Sequence, residues 1–210
     1  PTSYDFQFIP INGQPSPDTG TANCHGAPNG TPVEGAPAVR SASAASANYA
    51  SSSLTIAKPA GTATGDVLLA TVTHQGGSGY TLPPPAGWTA VPNGDVAEGS
   101  NARIRAWYRV AGATEPASYT FTLNGGMSLS GGITAITGAN TTSPINASGS
   151  RVQSTSSVNI SAPSVTTTVD KTRLFYVGGV SAPTGFTPPA GMSEHIDRAT
   201  SGSYTVTTAV

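Results

Sequence analysis

The stretch "GYTLPPPAGWTAV", residues 79–91, returns in altered form as "TGFTPPAGMSEHI", residues 184–196. In both copies, prolines lead into Ala-Gly, and an apolar residue follows, Trp88 in the first and Met192 in the second. This pattern predicts a rigid, extended approach to a turn, after which the apolar side chain can enter a core. The same device used twice indicates two related halves of one fold.

Further matches at the same offset of 104 residues support an internal duplication. "SLTI" at 53–56 aligns with "SVNI" at 157–160, and Asp66 aligns with Asp170, so we expect both aspartates to cap backbone donors in turns. The counterparts of "SYTFTL" and "GGITAIT" would fall beyond Val210. The second half is therefore predicted to be incomplete at the C-terminus. Either the gene product is longer or another chain fills the gap, because an open edge and core are costly.

The composition predicts strands and turns. The chain has 25 glycines and 18 prolines, which break helices, and much of the rest is Ala, Ser, Thr and Val. From residue 38 onwards, short runs such as "DVLLATVT" and "SYTFTL" are separated by breakers roughly every 8–15 residues, the spacing of a β-sandwich. We predict an all-β fold over residues 38–210, an antiparallel β-sandwich of the jelly-roll type with an internal duplication.

Residues 1–37 differ from the rest, since they contain seven prolines and should form an extended N-terminal arm with little internal pairing. Tyr4, Phe6 and Phe8 alternate with polar residues near the start of this arm, which is the period of a strand. An aromatic stripe without a core of its own must bury against the main domain or against another subunit. We favour docking on another subunit, with these three side chains as anchors.

The charge pattern limits the partners that the chain can have. It contains 9 basic and 10 acidic residues, and its charged fraction of 9% is far below the roughly 25% of an average domain. Without clustered Lys and Arg we predict no nucleic-acid partner. No run of about 18 apolar residues occurs, so no membrane insertion is predicted.

The cysteine content and the first residues bear on the compartment. A single cysteine, Cys24, rules out a framework of internal disulfides. The N-terminus lacks the basic and apolar regions of a signal peptide, so we interpret Pro1 as the natural start of a protein made in a cytoplasm. The alternative is a mature protein that is numbered after cleavage of a signal peptide.

A search for catalytic or metal-binding residues finds only weak candidates. On a strand, His195 and Asp197 would share a face and could bind a metal or form a base–orienter pair, although a solvated polar face is commoner. Cys24 and His25 are two zinc-type ligands whose other ligands are missing. No known catalytic motif is present. We therefore predict no enzymatic activity, no cofactor and no metal.

The strand "ARIRAWYRV", residues 102–110, is the strongest candidate for a contact surface. Its alternation places four apolar or small residues on one face: Ile104, Ala106, Tyr108 and Val110. The other face carries Arg103, Arg105, Trp107 and Arg109. If the first set is core, an exposed Trp flanked by arginines forms an interface to a neighbouring subunit or a host glycan. If Trp107 points inward, the arginines must find partners around it.

A family resemblance is carried in combination by five segments between residues 38 and 200: "SLTIAKPAGTATGDVLLATVT", "PPPAGWTAV", "WYRVAGATEPASYTFTL", "GGITAITGANTTSPINA" and "FTPPAGMSEHID". Together they resemble a module of bacteriophage minor tail and fibre-like proteins, especially in phages of actinobacteria, and related modules occur in bacterial surface proteins. The resemblance implies a non-enzymatic β-sandwich that is displayed on a virion or a cell surface. Members typically continue with further strands beyond the end of this chain.

On these grounds we expect a phage virion structural protein, a minor tail or fibre component involved in assembly or host attachment. Head decoration is a further placement that the resemblance leaves open. Such a protein is made in the host cytoplasm, and its partners are other virion subunits in a homo- or hetero-oligomer, with a host cell-surface glycan as an additional ligand. The alternative is a carbohydrate-binding or adhesin module of a secreted bacterial surface protein, located outside the cell.

Overall fold

The computed structural model describes residues 3–7, 19–23, 36–153, 160–201 and 207–210. The described elements are strands and one short 3-10 turn at Gly77–Gly79, which confirms the prediction of an all-β fold. Within these ranges no helix is long or apolar enough to cross a membrane. The strands are β1 Ser3–Gln7, β2 Thr19–Asn23, β3 Ala38–Ala57, β4 Val67–Gln75, β5 Thr89–Glu98, β6 Ala102–Val110, β7 Ser118–Thr137, β8 Gly178–Val180, β9 Asp197–Ala199 and β10 Thr207–Ala209.

Five of these strands form one antiparallel sheet in the order β3-β7-β4-β6-β5. β4 lies in the middle, and every residue from Val67 to His74 is buried. A strand that is covered on both faces needs side chains that tolerate burial on both, and "VLLATVT" supplies aliphatic residues and threonines. The sheet is therefore the centre of the molecule and has packed material on each side.

The two longest strands bend in the middle and close over one face of the sheet. Residues 38–47 of β3 pair with residues 129–137 of β7, and after register shifts residues 53–57 pair with residues 118–122. The bend brings the second part of β3 and the first part of β7 into the main core. That core consists of Leu54, Ile56, Leu68, Ala70, Val72, Leu82, Trp88, Trp107, Ala111, Tyr119, Phe121, Leu123, Leu129, Ile133 and Ala135.

The opposite face of the sheet is covered by a three-stranded sheet in the order β8-β10-β9. Part of this contact is polar, because the hydroxyl of Thr208 lies 2.7 Å from Thr73 Oγ1 and 2.9 Å from Ser130 Oγ. A smaller apolar cluster of Val67, Leu69 and Ile136 lies on the same face of the sheet. Both faces of β4 are thus covered by packed residues.

The two Pro-Ala-Gly segments form the same turn. In each, the amide of the apolar residue donates to the carbonyl three positions earlier, at 3.1 Å for Trp88 and 3.0 Å for Met192. The preceding glycine has a positive φ in both, 79° at Gly87 and 84° at Gly191. Before the turns the copies differ, since residues 171–179, which align with β4, reach a strand only at their end. The duplication as a whole and the jelly-roll sandwich stay predictions.

In the first 37 residues, β1 and β2 pair antiparallel over five positions, from Ser3 opposite Asn23 to Gln7 opposite Thr19. The prolines led us to expect little internal pairing in these residues, and the pairing of β1 with β2 differs from that expectation. Phe8 and the side chains of Tyr4 and Phe6 lie outside the described part of the chain. Docking of the arm on another subunit and the domain boundary at residue 37 stay predictions.

Candidate functional site

The tryptophan of the arginine-rich strand lies in the core. Trp107 is 2% exposed, and its ring centroid is 5.4 Å from that of Phe121 on the bent strand β7. The prediction of an exposed Trp107 is therefore wrong, and the inward alternative holds. The loop 80–88 and the bend of β7 cover this face of β6. The sequence does not show that these distant segments pack there, so we expected the face to be exposed.

Each arginine of this face donates to one backbone carbonyl of the loop that follows the 3-10 turn, in the pairs Arg103–Tyr80, Arg105–Leu82 and Arg109–Ala86. The prolines at 83–85 lack an N–H and cannot join β6 through strand pairing. Guanidinium groups supply the donors instead, and Leu82 and Trp88 are buried beneath the loop. We call Arg103, Arg105 and Arg109 the arginine clamp, because they hold the Pro-rich loop on the sheet.

Two members of the arginine clamp share the carboxylate of Asp95 on the edge strand β5. Arg103 Nε and Nη2 lie 2.6 and 2.8 Å from its two oxygens, and Arg105 Nη2 lies 3.0 Å from one of them. Burial tends to raise the pKa of Asp95, but hydrogen bonds and charge from Arg103 and Arg105 outweigh it and lower the pKa. The carboxylate is thus ionised at neutral pH and fixes both guanidinium groups.

The third member of the arginine clamp is held by Glu115, whose side chain is only 3% exposed. Arg109 Nε lies 3.1 Å from Glu115 Oε2, and the carboxylate also accepts hydrogen bonds of 2.7 Å from the Gly112 amide and the Tyr119 hydroxyl. Burial opposes ionisation of Glu115, but these three donors together lower its pKa. Burial and the hydrogen bond to Glu115 raise the pKa of Tyr119.

The two matching turns allow a controlled test of the contact between Arg109 and the loop. A Cβ at Gly87 would collide with Arg109 Nη1, whereas a Cβ at Gly191 would have no atom within 4 Å. Gly191→Ala is expected to lower the free energy of unfolding by about 1 kcal/mol, the strain of a positive φ. Gly87→Ala should cost at least about twice as much, because Arg109 must also leave the Ala86 carbonyl. Urea denaturation measures both, and equal losses would contradict the contact.

The turn aspartate that precedes β4 behaves as predicted. Asp66 Oδ2 accepts a hydrogen bond of 2.9 Å from the amide of Ala63, which confirms its role as a cap. Arg40 on β3 adds a two-pronged contact, with Nε at 2.7 Å and Nη2 at 3.1 Å from the two carboxylate oxygens. Burial opposes this arrangement, but the contacts with Arg40 and Ala63 lower the pKa of Asp66. The pair ties the start of β4 to the edge strand.

Two of the weak metal and acid–base candidates, His195 and Asp197, take part in hydrogen bonds with the backbone. Asp197 Oδ2 accepts a hydrogen bond of 3.0 Å from the amide of Phe186, and the amide of His195 donates to the Val210 carbonyl at 2.8 Å. Cys24 and His25 lie outside the part of the chain that the structure describes. Among the residues described, no group of three or more His, Cys, Asp or Glu side chains could hold a metal ion.

One histidine that the sequence did not single out is fully buried. His74 lies on β4 with its Nδ1 at 2.8 Å from the Gln75 carbonyl, and no hydrogen-bond partner for Nε2 is found among the described residues. Burial lowers its pKa most, and the charges of Arg105 and Arg103 lower it further. The imidazole is therefore neutral in the folded chain at neutral pH. Its place in an apolar strand, "VLLATVTHQ", is the only sequence signal of this burial.

His74 is expected to make the protein less stable in mild acid. Below about pH 6.5, the ordinary pKa of histidine, the unfolded chain takes up a proton at His74 that the folded chain resists. The free energy of unfolding should then fall as the pH falls from about 6.5 towards the lowered folded pKa, by up to about 1.4 kcal/mol per pH unit.

Urea denaturation between about pH 7.5 and pH 5 measures this dependence. Because burial and Arg173 also lower the pKa of His195, the test compares His74→Gln with the matched variant His195→Gln. His74→Gln should flatten the pH dependence more than His195→Gln does. An unchanged pH dependence in His74→Gln would contradict the assignment.

A cavity of about 400 Å³ lies beside the second Pro-Ala-Gly turn. Its only signal in the sequence is the group of aromatic residues that precedes that turn, Phe175, Tyr176 and Phe186. We call it the aromatic cavity. Its lining includes Arg173, Leu174, Phe175, Tyr176, Phe186, Pro188, Pro189, Met192, Ser193, Glu194, His195 and Val210.

In comparisons with known proteins, no family model, no curated protein and no solved structure matches this chain. The resemblance to phage tail modules stays a prediction, which rests on the five sequence segments quoted above.

Proposed function

We propose that the chain is a non-enzymatic structural component of a bacteriophage virion, a minor tail or fibre protein that serves assembly or host attachment. The observation that carries the proposal is the combination of five segments that resemble such modules. The use of charge in the structure agrees with a scaffold role. At least four of the nine basic side chains are in internal ion pairs, where they hold loops and strands together.

The edge of the main sheet offers a place for a neighbouring subunit. β3 is an edge strand in the described sheet, and residues 41–47, "SASAASA", present only small side chains along it. An edge of this length exposes backbone donors and acceptors, and native proteins usually cover such edges. In the proposed assembly another virion subunit covers β3, and the aromatic residues of the N-terminal arm provide the second contact.

The test is the presence of the chain in particles. Mass spectrometry of phage particles, purified by density gradient from the source culture, should detect peptides of this chain at a stoichiometry similar to that of other minor structural proteins. The matched control is the particle-free fraction of the same lysate, in which the chain should be depleted relative to the particles. Absence from the particles would overturn the proposal.

A second candidate function is a carbohydrate-binding or adhesin module of a secreted bacterial surface protein. The observation that favours it is the aromatic cavity, which combines ring surfaces with polar side chains. The coding sequence upstream of Pro1 separates the two candidates, because a signal peptide there would favour secretion, and neighbouring virion genes would favour the phage.

A further inference from the structure

Two aromatic residues in the wall of the aromatic cavity approach a glycine. Gly178 begins β8, and a Cβ at this position would lie 3.3 Å from an edge atom of both Tyr176 and Phe186. The missing side chain lets the two rings approach the same point of the backbone. Both aromatic residues are only half-buried although they line the cavity, so ring surface stays available to a ligand.

The wall of the cavity that carries Phe186 is fixed by hydrogen bonds. The amide of Phe186 donates to Asp197 Oδ2 at 3.0 Å, and the amide of Met192 closes the Pro-Ala-Gly turn at 3.0 Å. Further along, the amides of His195 and Ile196 donate to the Val210 carbonyl at 2.8 and 3.2 Å. A wall held in this way is pre-organised, which reduces the entropy lost on binding.

The polar groups of the aromatic cavity make two classes of ligand unfavourable. Arg173 and Glu194 have opposite charges, and burial together with Arg173 lowers the pKa of His195, so the imidazole adds no charge at neutral pH. A phosphate-rich ligand needs clustered cations, which this lining lacks. A purely aliphatic ligand would use only part of the lining, because it forms no hydrogen bonds with the hydroxyl groups of Thr172, Thr187 and Ser193.

The ligand that uses the whole lining is neutral and presents both apolar faces and hydroxyl groups. A sugar ring has these properties, because its C–H face can lie against an aromatic ring while its hydroxyls bond to polar side chains. The volume of about 400 Å³ falls in the usual range of small-molecule sites, about 300–1,000 Å³. We infer that the aromatic cavity binds a neutral sugar residue of a polysaccharide. The source of that polysaccharide, the host envelope, rests on the proposed function.

The experiment uses the full chain and soluble probes. Saturation-transfer NMR is recorded with the methyl glycosides of glucose, galactose, mannose and N-acetylglucosamine, and with glucuronic acid as the anionic comparator. At least one neutral glycoside should bind, and a titration should show at least a tenfold loss of affinity in Phe186→Ala. The matched control is Tyr49→Ala, which removes a half-exposed aromatic residue of β3 outside the cavity and should leave the affinity unchanged.

Each result decides the inference. No binding by any neutral probe, a preference for glucuronic acid, or unchanged affinity in a folded Phe186→Ala would overturn it. If Phe186→Ala fails to fold, as judged by circular dichroism, Glu194→Gln and Ser193→Ala replace it, and both should weaken binding. If the chain is present in particles but binds no sugar, the sugar site is overturned and the virion function is supported. If the chain binds sugar but is absent from particles, the sugar site is supported and the virion function is overturned.

Discussion

Trp107→Ala is expected to lower the free energy of unfolding by about 3–5 kcal/mol, the usual cost of truncating a buried tryptophan. The side chain is 2% exposed and packs on Phe121 at the point where β7 bends back over the sheet. Its loss leaves a void between β6 and the bent strand that neighbouring side chains can fill only in part. Urea denaturation followed by circular dichroism measures the change.

Two control variants define what the loss means. Trp107→Phe keeps an aromatic ring beside Phe121 and should cost clearly less than the alanine variant. Tyr49→Ala removes an aromatic side chain that is 51% exposed, and it should change stability by less than about 1 kcal/mol. A loss of similarly small size in Trp107→Ala would contradict its burial and would restore the contact surface expected from the sequence.

Glu115→Ala is expected to have the next largest effect, a loss on the order of 3 kcal/mol in the free energy of unfolding. The substitution leaves the guanidinium of Arg109, the hydroxyl of Tyr119 and the amide of Gly112 without their shared acceptor. Because Arg109 is 25% exposed, water can take up part of its charge, so the lower end of the range for broken buried pairs applies.

The size and the charge of Glu115 can be separated. Glu115→Gln keeps the shape and one acceptor and should cost less than the alanine variant, and Arg109→Met combined with Glu115→Ala should cost less than the two single changes together. The folded pKa of Glu115 is lowered, so its contribution is present above its ordinary pKa near 4.5 and is lost as the pH falls through the folded value. Strict additivity of the two changes would contradict the pairing.

Local patterns carried the sequence predictions that the structure confirms. The runs "DVLLATVT", apart from Asp66, and "SYTFTL" lie in β4 and β7, because alternation and β-branched residues are properties of a few neighbouring positions. The cap at Asp66 and the burial of Trp88 after its turn are equally local. None of these predictions requires knowledge of residues that are distant in the sequence.

The inward position of Trp107, in contrast, depends on packing against residues that are distant in the sequence. Both faces of β6 carry ring or aliphatic side chains, so alternation alone left the buried face undecided. The partners of the arginine clamp are loop carbonyls 23 residues earlier in the chain and the carboxylate of Asp95 on a neighbouring strand. The same holds for the aromatic cavity, in which Tyr176 and Phe186 both approach Gly178 through the folding of loops that have no periodic pattern.

The position of β7 between β3 and β4 has a consequence for biosynthesis. Ala38 pairs with Thr137, so the first strand of the sheet finds its partner only after about a hundred further residues have left the ribosome. Pairings of such long range make folding slow, in the range of milliseconds to seconds for all-β domains. Until β7 is complete, the inner edge of β3 remains unpaired on the nascent chain. On polysomes that make several copies at once, that interval is when strands can be exchanged between neighbouring chains.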